Sequence, residues 1–226
     1  MATQSRTIIV SVNPVVDSTT IANCTTANAS KTVTSSAAFG SVVAGQRVVG
    51  VGIPFNTKVA SKSDSSTILL DTAATADGTV SLQFGYFTSA AYATGDTMGF
   101  PFVLSDVFYA TPKSILLETV VLVDAAKQAP SCELVLFYST FTETADNAAF
   151  APTDADAAKI LAVVPISTWY SYSVNSVAVE SGLGLSIPRH TSSGSTRNLY
   201  GQLVSRGSPT FVAVSDLTLN LYFIEE

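Results

Sequence analysis

Leu217-Thr218-Leu219-Asn220-Leu221-Tyr222-Phe223-Ile224 sets Leu217, Leu219, Leu221 and Phe223 against Thr218, Asn220 and Tyr222. A period of two places the first set on one face of an extended chain and the second on the other, so the stretch reads as a β-strand with one buried face. Residues 199–206 repeat the pattern, with Leu199, Gly201 and Leu203 opposed to Tyr200, Gln202 and Val204. Both predict strands whose second face is partly solvated, as in a sandwich. Residues 115–123 are apolar almost without a break, interrupted at Glu118. That predicts a central strand covered on both faces.

Five further stretches fill out the same unit: residues 102–110, 132–139, 161–166, 176–179 and 183–188 are strand candidates. Thr153 or Asp154 can cap a helix, and the alanines and Lys159 that follow are good helix formers. The expected helix covers residues 153–160, about two turns. Toward the amino terminus the candidate strands are shorter. Residues 31–34, 47–49, 57–61, 67–71 and 79–84 mostly recur about every 10–12 residues with turn signals between, the mark of a small antiparallel β domain. Residues 17–36 are otherwise small and polar. Residues 7–12 read as a strand or extended arm that Asn13-Pro14 stops. The fold predicted is all-β: a small amino-terminal antiparallel β domain, then a larger jelly-roll-like β-sandwich with one short helix. Its parts are an arm over residues 1–18, the small domain over 19–86 and the sandwich over 87–226.

Composition agrees with a sheet protein. The 226 residues include 29 Ser, 27 Thr, 28 Ala and 26 Val, while charged residues make up 12%, about half the ~25% of an ordinary globular chain. Val and Thr lose rotamer freedom in helices and pack well on pleated surfaces. Net charge is −6, and it is unevenly placed. Residues 1–86 carry five basic and four acidic groups, residues 87–226 six and thirteen. With no basic field, neither nucleic acid nor an anionic membrane is expected as a partner. No apolar run approaches the ~20 residues of a membrane-spanning helix. The amino terminus lacks an apolar signal core, so the product is expected in the cytoplasm where it is made.

Catalytic and metal constellations are not found. His190, the one histidine, sits in a polar serine-rich run without a Gly-x-Ser-x-Gly elbow. Gly50-Val51-Gly52 lacks a third glycine and is followed by Pro54, so it reads as a turn rather than a phosphate cradle. Cys24 and Cys132 read as buried small hydrophobes, and with a single histidine they cannot make an ordinary zinc site. Asp154 and Asp156 belong to the helix start, Asp146 to the loop before it, and Glu225 and Glu226 to the chain end. Glu118 reads as a strand-face carboxylate paired with a neighbouring Lys or Arg. Trp169, Tyr170 and Tyr172 read first as sandwich core and subunit contact, with sugar stacking as the alternative. The chain is therefore expected to be no enzyme and to use no cofactor or metal.

A family resemblance covers most of the chain. Residues 92–102, 114–124, 133–138 and 146–156, together with 199–204 and 209–219, resemble β-rich structural proteins of tailed-bacteriophage particles. Residues 39–84, with Val48-Val49-Gly50-Val51-Gly52-Ile53-Pro54 and Thr67-Ile68-Leu69-Leu70-Asp71, are similar to a small β module of phage fibre and capsid-associated proteins. The resemblance implies a capsid decoration, or cement, protein on the outer surface of the virion. Its partners would be the major capsid protein and itself as a homo-oligomer, with three copies expected. The apolar row Ile8, Ile9, Val10 and Val12 is expected to add to a sheet or lie along a neighbouring subunit. The alternative is a fibre or tail-associated module that binds a host receptor or glycan through Trp169, Tyr170 and Tyr172. Low charge in the first 86 residues suits burial against other subunits, so the neutral part is expected to face the shell and the acidic part solvent.

Overall fold

A computed structural model describes residues 5–10, 19–85, 91–105, 107–108, 114–189, 198–211 and 216–225, with side chains from residue 19 to 224. Among them, fifteen strands form three sheets, and there is one helical turn.

The sandwich faces a five-stranded sheet against a four-stranded one. The first holds β1 (Ser5–Val10), β15 (Leu217–Glu225), β9 (Ser114–Asp124), β13 (Ser176–Pro188) and β12 (Trp169–Ser171), in that order. The second holds β11 (Ile160–Ile166), β10 (Cys132–Phe137), β14 (Leu199–Ser205) and β8 (Thr97–Leu104). All pairings are antiparallel. The alternation of the last strand does what its sequence predicts: Leu217, Leu219, Leu221 and Phe223 enter a core shared with Ile115, Leu117, Val120, Leu122, Leu134, Leu136, Leu199 and Leu203.

The small domain is a second β unit of six strands: β4 (Arg47–Val49), β7 (Gly78–Gly85), β2 (Thr19–Thr26), β3 (Thr32–Ser35), β6 (Thr67–Leu70) and β5 (Val59–Lys62), in sheet order. Its two outer strands also meet. Val48 N donates to Thr57 O at 3.0 Å, Val59 N donates to Gln46 O at 2.9 Å, and Arg47 and Lys58 form a bridge. These bonds draw the two ends of the sheet together into a small barrel. Phe39 and Phe84 pack edge to face at 5.6 Å inside it, beside Cys24, Val33, Ile68 and Leu82.

Several local expectations change. β9 is central, but its burial alternates: Leu117, Val120 and Leu122 are buried while Leu116, Val121 and Val123 are half exposed. Its outer face is not covered by the described residues. β14 departs the other way, with all seven residues buried, because its second face lies under the small domain. The two candidates at 176–179 and 183–188 are one strand. Gly182 and Gly184, at φ +67° and +57°, carry the irregularity between Ser181 and Leu185 without interrupting the ladder to β9. The helix α1 (Asp154–Ala157) is one turn rather than two, capped by Thr153, whose Oγ1 accepts from Asp156 N at 3.2 Å. Residues 19–26, small and polar and without a predicted strand, form β2.

Candidate interaction surfaces

Three places on the molecule bear on function: the contact between barrel and sandwich, and the two edges of the five-stranded sheet.

The contact is built from turns on the barrel side and from the segment between β10 and α1 on the other. Phe55, in the turn after Pro54, meets Phe141 at 5.7 Å and Tyr200 at 5.3 Å, both edge to face. Phe141 stacks on Phe137 at 3.9 Å. Val135 and Val204 complete this cluster on the outer face of the four-stranded sheet. Arg47 lies between the Phe55 and Phe100 rings, 5.9 and 5.3 Å from their centroids. Its Nη2 donates to Glu143 Oε1 at 2.7 Å, and Asn56 N donates to the same oxygen at 2.7 Å. Glu143 is almost wholly buried; burial pushes its carboxyl up, and Arg47 and the Asn56 amide only partly offset that.

A second polar clasp lies alongside. Gln83 Nε2 donates to Asp146 O at 3.2 Å while Asp146 N donates to Gln83 Oε1 at 2.8 Å, so one side chain holds both polar groups of a single residue's backbone. The Asp146 carboxylate accepts from Tyr92 Oη and Gly99 N, each at 2.8 Å. The loop acid is thus a buried cross-brace. Beside Phe55 and Glu143 opens a cleft of about 400 Å³, lined by residues 50–53 and Phe55 of the barrel and by residues 140–143, Asp156 and Lys159. Asp156 receives Lys159 Nζ at 2.8 Å and Thr142 N at 3.2 Å. Burial would raise its carboxyl, but these bonds and that of Thr153 outweigh burial and lower it to about 2.

At one edge of the five-stranded sheet, β1 pairs with β15 from Ser5 opposite Ile224 to Val10 opposite Leu219. Ile8 stands opposite Leu221 and Ile9 opposite Asn220. Here the strand adds to its own chain's sheet, and the barrel is inserted between β1 and the rest of the sandwich. Val12 and His190 lie outside the described residues.

The other edge is the β12 to β13 hairpin. Trp169 turns inward against the core and its Nε1 donates to Pro130 O at 3.1 Å. Tyr170 and Tyr172 are 57% and 58% exposed, and Val174 at the tip 74%. Of the three aromatics, only the tyrosines present their side chains to solvent.

Comparison with protein-family models, curated proteins and solved structures finds no match to this chain. Its own geometry therefore carries the reading. Among the described residues, no group of three His, Cys, Asp or Glu side chains gathers where it could hold a metal. Cys24 and Cys132 are free and buried, as small hydrophobes are. Glu118 is skipped in both ladders of β9, since Leu117 and Thr119 pair with consecutive residues of β15. It forms none of the described ion pairs. A β-bulge accounts for its half-buried position, where a cross-strand cation was expected. The turn at Gly50-Val51-Gly52 is a packing feature. A Cβ on Gly50 would meet Leu82 Cδ2 at 2.4 Å.

What sequence reasoning missed is the contact between the domains. Arg47, Phe55 and Gln83 are unremarkable in a strand or turn, and their partners lie 96, 86 and 63 residues away.

Proposed function

We propose that the chain is a non-catalytic structural protein of a tailed-phage particle. It binds the outer surface of the mature capsid and stabilises the shell by bridging major capsid subunits, acting as a homo-oligomer. The observation that carries this reading is the buried contact between barrel and sandwich. Aromatic packing, a shared carboxylate and a side chain clasping a backbone join two β units into one stiff body, and a bridge between subunits under internal pressure needs such stiffness. The sequence stretches that resemble virion proteins support it from a different direction. In this arrangement the near-neutral barrel faces the shell and the acidic sandwich faces solvent. Binding to the expanded lattice alone stabilises that lattice by mass action, and several modest contacts per oligomer suffice.

Purified protein mixed with expanded capsids and with unexpanded precursors tests it. Saturable binding to expanded capsids, at many copies spread over the shell, is the expected result. Exposure of Tyr170 and Tyr172 favours one competing reading, a receptor- or glycan-binding module. Labelled protein that binds bacterial cells and ignores capsids would establish that reading in place of the first.

A further inference from the structure

The sandwich has two outer faces, and the chain treats them differently. The barrel covers the face of the four-stranded sheet, where Phe55 packs on Tyr200. On the five-stranded sheet, the ladder brings Tyr170, Val177, Val123 and Thr218 into one row and Val179, Val121 and Asn220 into the next. Leu116 and Ile224 lie further along, paired with each other. These residues are half exposed or exposed, Val179 by 39%, although the Asn220 Oδ1 atom itself is shielded from solvent. The rows hold no charged residue; Glu118, set out of register by the bulge, stands at their margin.

We propose that this uncovered face is where a second copy of the same chain docks, sheet on sheet about a two-fold axis. The proposal rests on the self-association named above and replaces the three copies that the resemblance implies with two. Charge argues for the occupant. Residues 87–226 carry thirteen acidic and six basic groups, so two copies repel one another over most of their surface and approach at least cost where neither presents a charge. Shape argues for the mode. A face of valines with Tyr170, Thr218 and Asn220 among them and no charge selects mainly by form, and a twisted sheet matches another twisted sheet, aligned at about −30° and about 10 Å apart. Size is adequate as well. Five strands span roughly 24 Å and eight residues along a strand roughly 27 Å, so two faces bury on the order of 1,300 Å², within the range of stable interfaces. A two-fold pairing uses the same patch twice and closes at two chains.

Sedimentation velocity on the full chain across the micromolar range tests the proposal. Wild type is expected at the mass of two chains. Val179→Lys and, separately, Tyr170→Lys place a cation on each side of the two-fold and should each raise the dissociation constant at least about tenfold. Val51→Lys, on the exposed barrel turn, should leave the mass unchanged. Far-ultraviolet circular dichroism identifies any variant that fails to fold, and the other variant then decides. A wild type of one chain or three chains overturns the proposal, as does a dimer that both lysine variants leave intact. Capsid binding is measured separately. Loss of capsid binding with the dimer preserved would assign the face to the shell and overturn the proposal while sustaining the function above.

Discussion

Arg47 and Glu143, 96 residues apart in the chain, meet at 2.7 Å in a contact that excludes most solvent from both side chains. Each belongs to a different β unit, so this ion pair and the Phe55 cluster beside it decide whether the barrel and the sandwich behave as one body. Removing one member of a buried pair leaves the other charged and desolvated. Glu143→Ala is expected to lower unfolding stability by about 3 kcal/mol, whereas the Arg47→Met, Glu143→Leu double substitution should cost much less. Urea denaturation followed by fluorescence and by circular dichroism checks this. Equal losses for the single and double variants would mean that the pair does not couple the domains.

Acid reaches the same region with opposite signs at its two carboxyls. Asp156 is lowered from 3.8 to about 2, so its contribution is present above 3.8 and is lost as pH falls through about 2. Glu143 is raised above 4.5. The folded form then binds its proton more tightly than the unfolded chain, so its contribution is fully present below 4.5 and diminishes as pH rises through the raised value. In a series of urea midpoints from acid to neutral pH, Asp156→Asn should flatten the acid limb and Glu143→Gln the opposite one. An Asp156→Asn profile parallel to wild type below pH 3.8 would contradict the assignment.

Legibility in the sequence follows from how far each signal reaches. β15 declares itself because residues 217–224 alternate with a period of two, and β9 because its run is apolar almost throughout. β2 does not: it presents Ile21 and Cys24 inward among threonines, and Asn23, at φ 56°, breaks the alternation between them. β13 looks like two strands because glycines at 182 and 184 imitate a turn. The faces of β9 and β14 were assigned the wrong way round for a single reason. Hydropathy tells that a face can be buried, and only the docking of the barrel decides which one is. The interaction surfaces were legible only in part: β12 stood out by its aromatics, but nothing local says that Trp169 turns inward while Tyr170 turns out.

Thiol chemistry follows from burial. Burial pushes the Cys132 thiol up to about 12, with the nearby acids Glu133, Asp124 and Glu180 adding to it. Cys24 is raised too, by burial within the barrel. The thiolate is the reactive form. Native protein at neutral pH should therefore show almost no reaction with a thiol-specific chromogenic reagent over minutes, and two equivalents after denaturation. Because the cysteines sit in different units, Glu143→Ala also serves as a reporter. Faster labelling of one cysteine than the other would show the barrel and the sandwich opening independently.

Gly201 is the tightest point of the sandwich core. A Cβ there would fall 2.3 Å from Phe102 Cζ and 2.4 Å from Cε2, and the two residues are direct partners in the β14 to β8 ladder. The absent side chain leaves room for the ring to lie flat across the strand, so Gly201 and Phe102 act as one packing unit. Gly201→Ala is expected to destabilise by about 2 kcal/mol through overpacking, although alanine is otherwise the better strand residue. Phe102→Leu alone should cost about 1 kcal/mol from lost ring contacts. Together the two should cost less than their sum, because the smaller side chain vacates the volume that the new methyl needs. Thermal unfolding of the four proteins in the cycle measures that coupling, and strictly additive losses would show that the ring yields without strain.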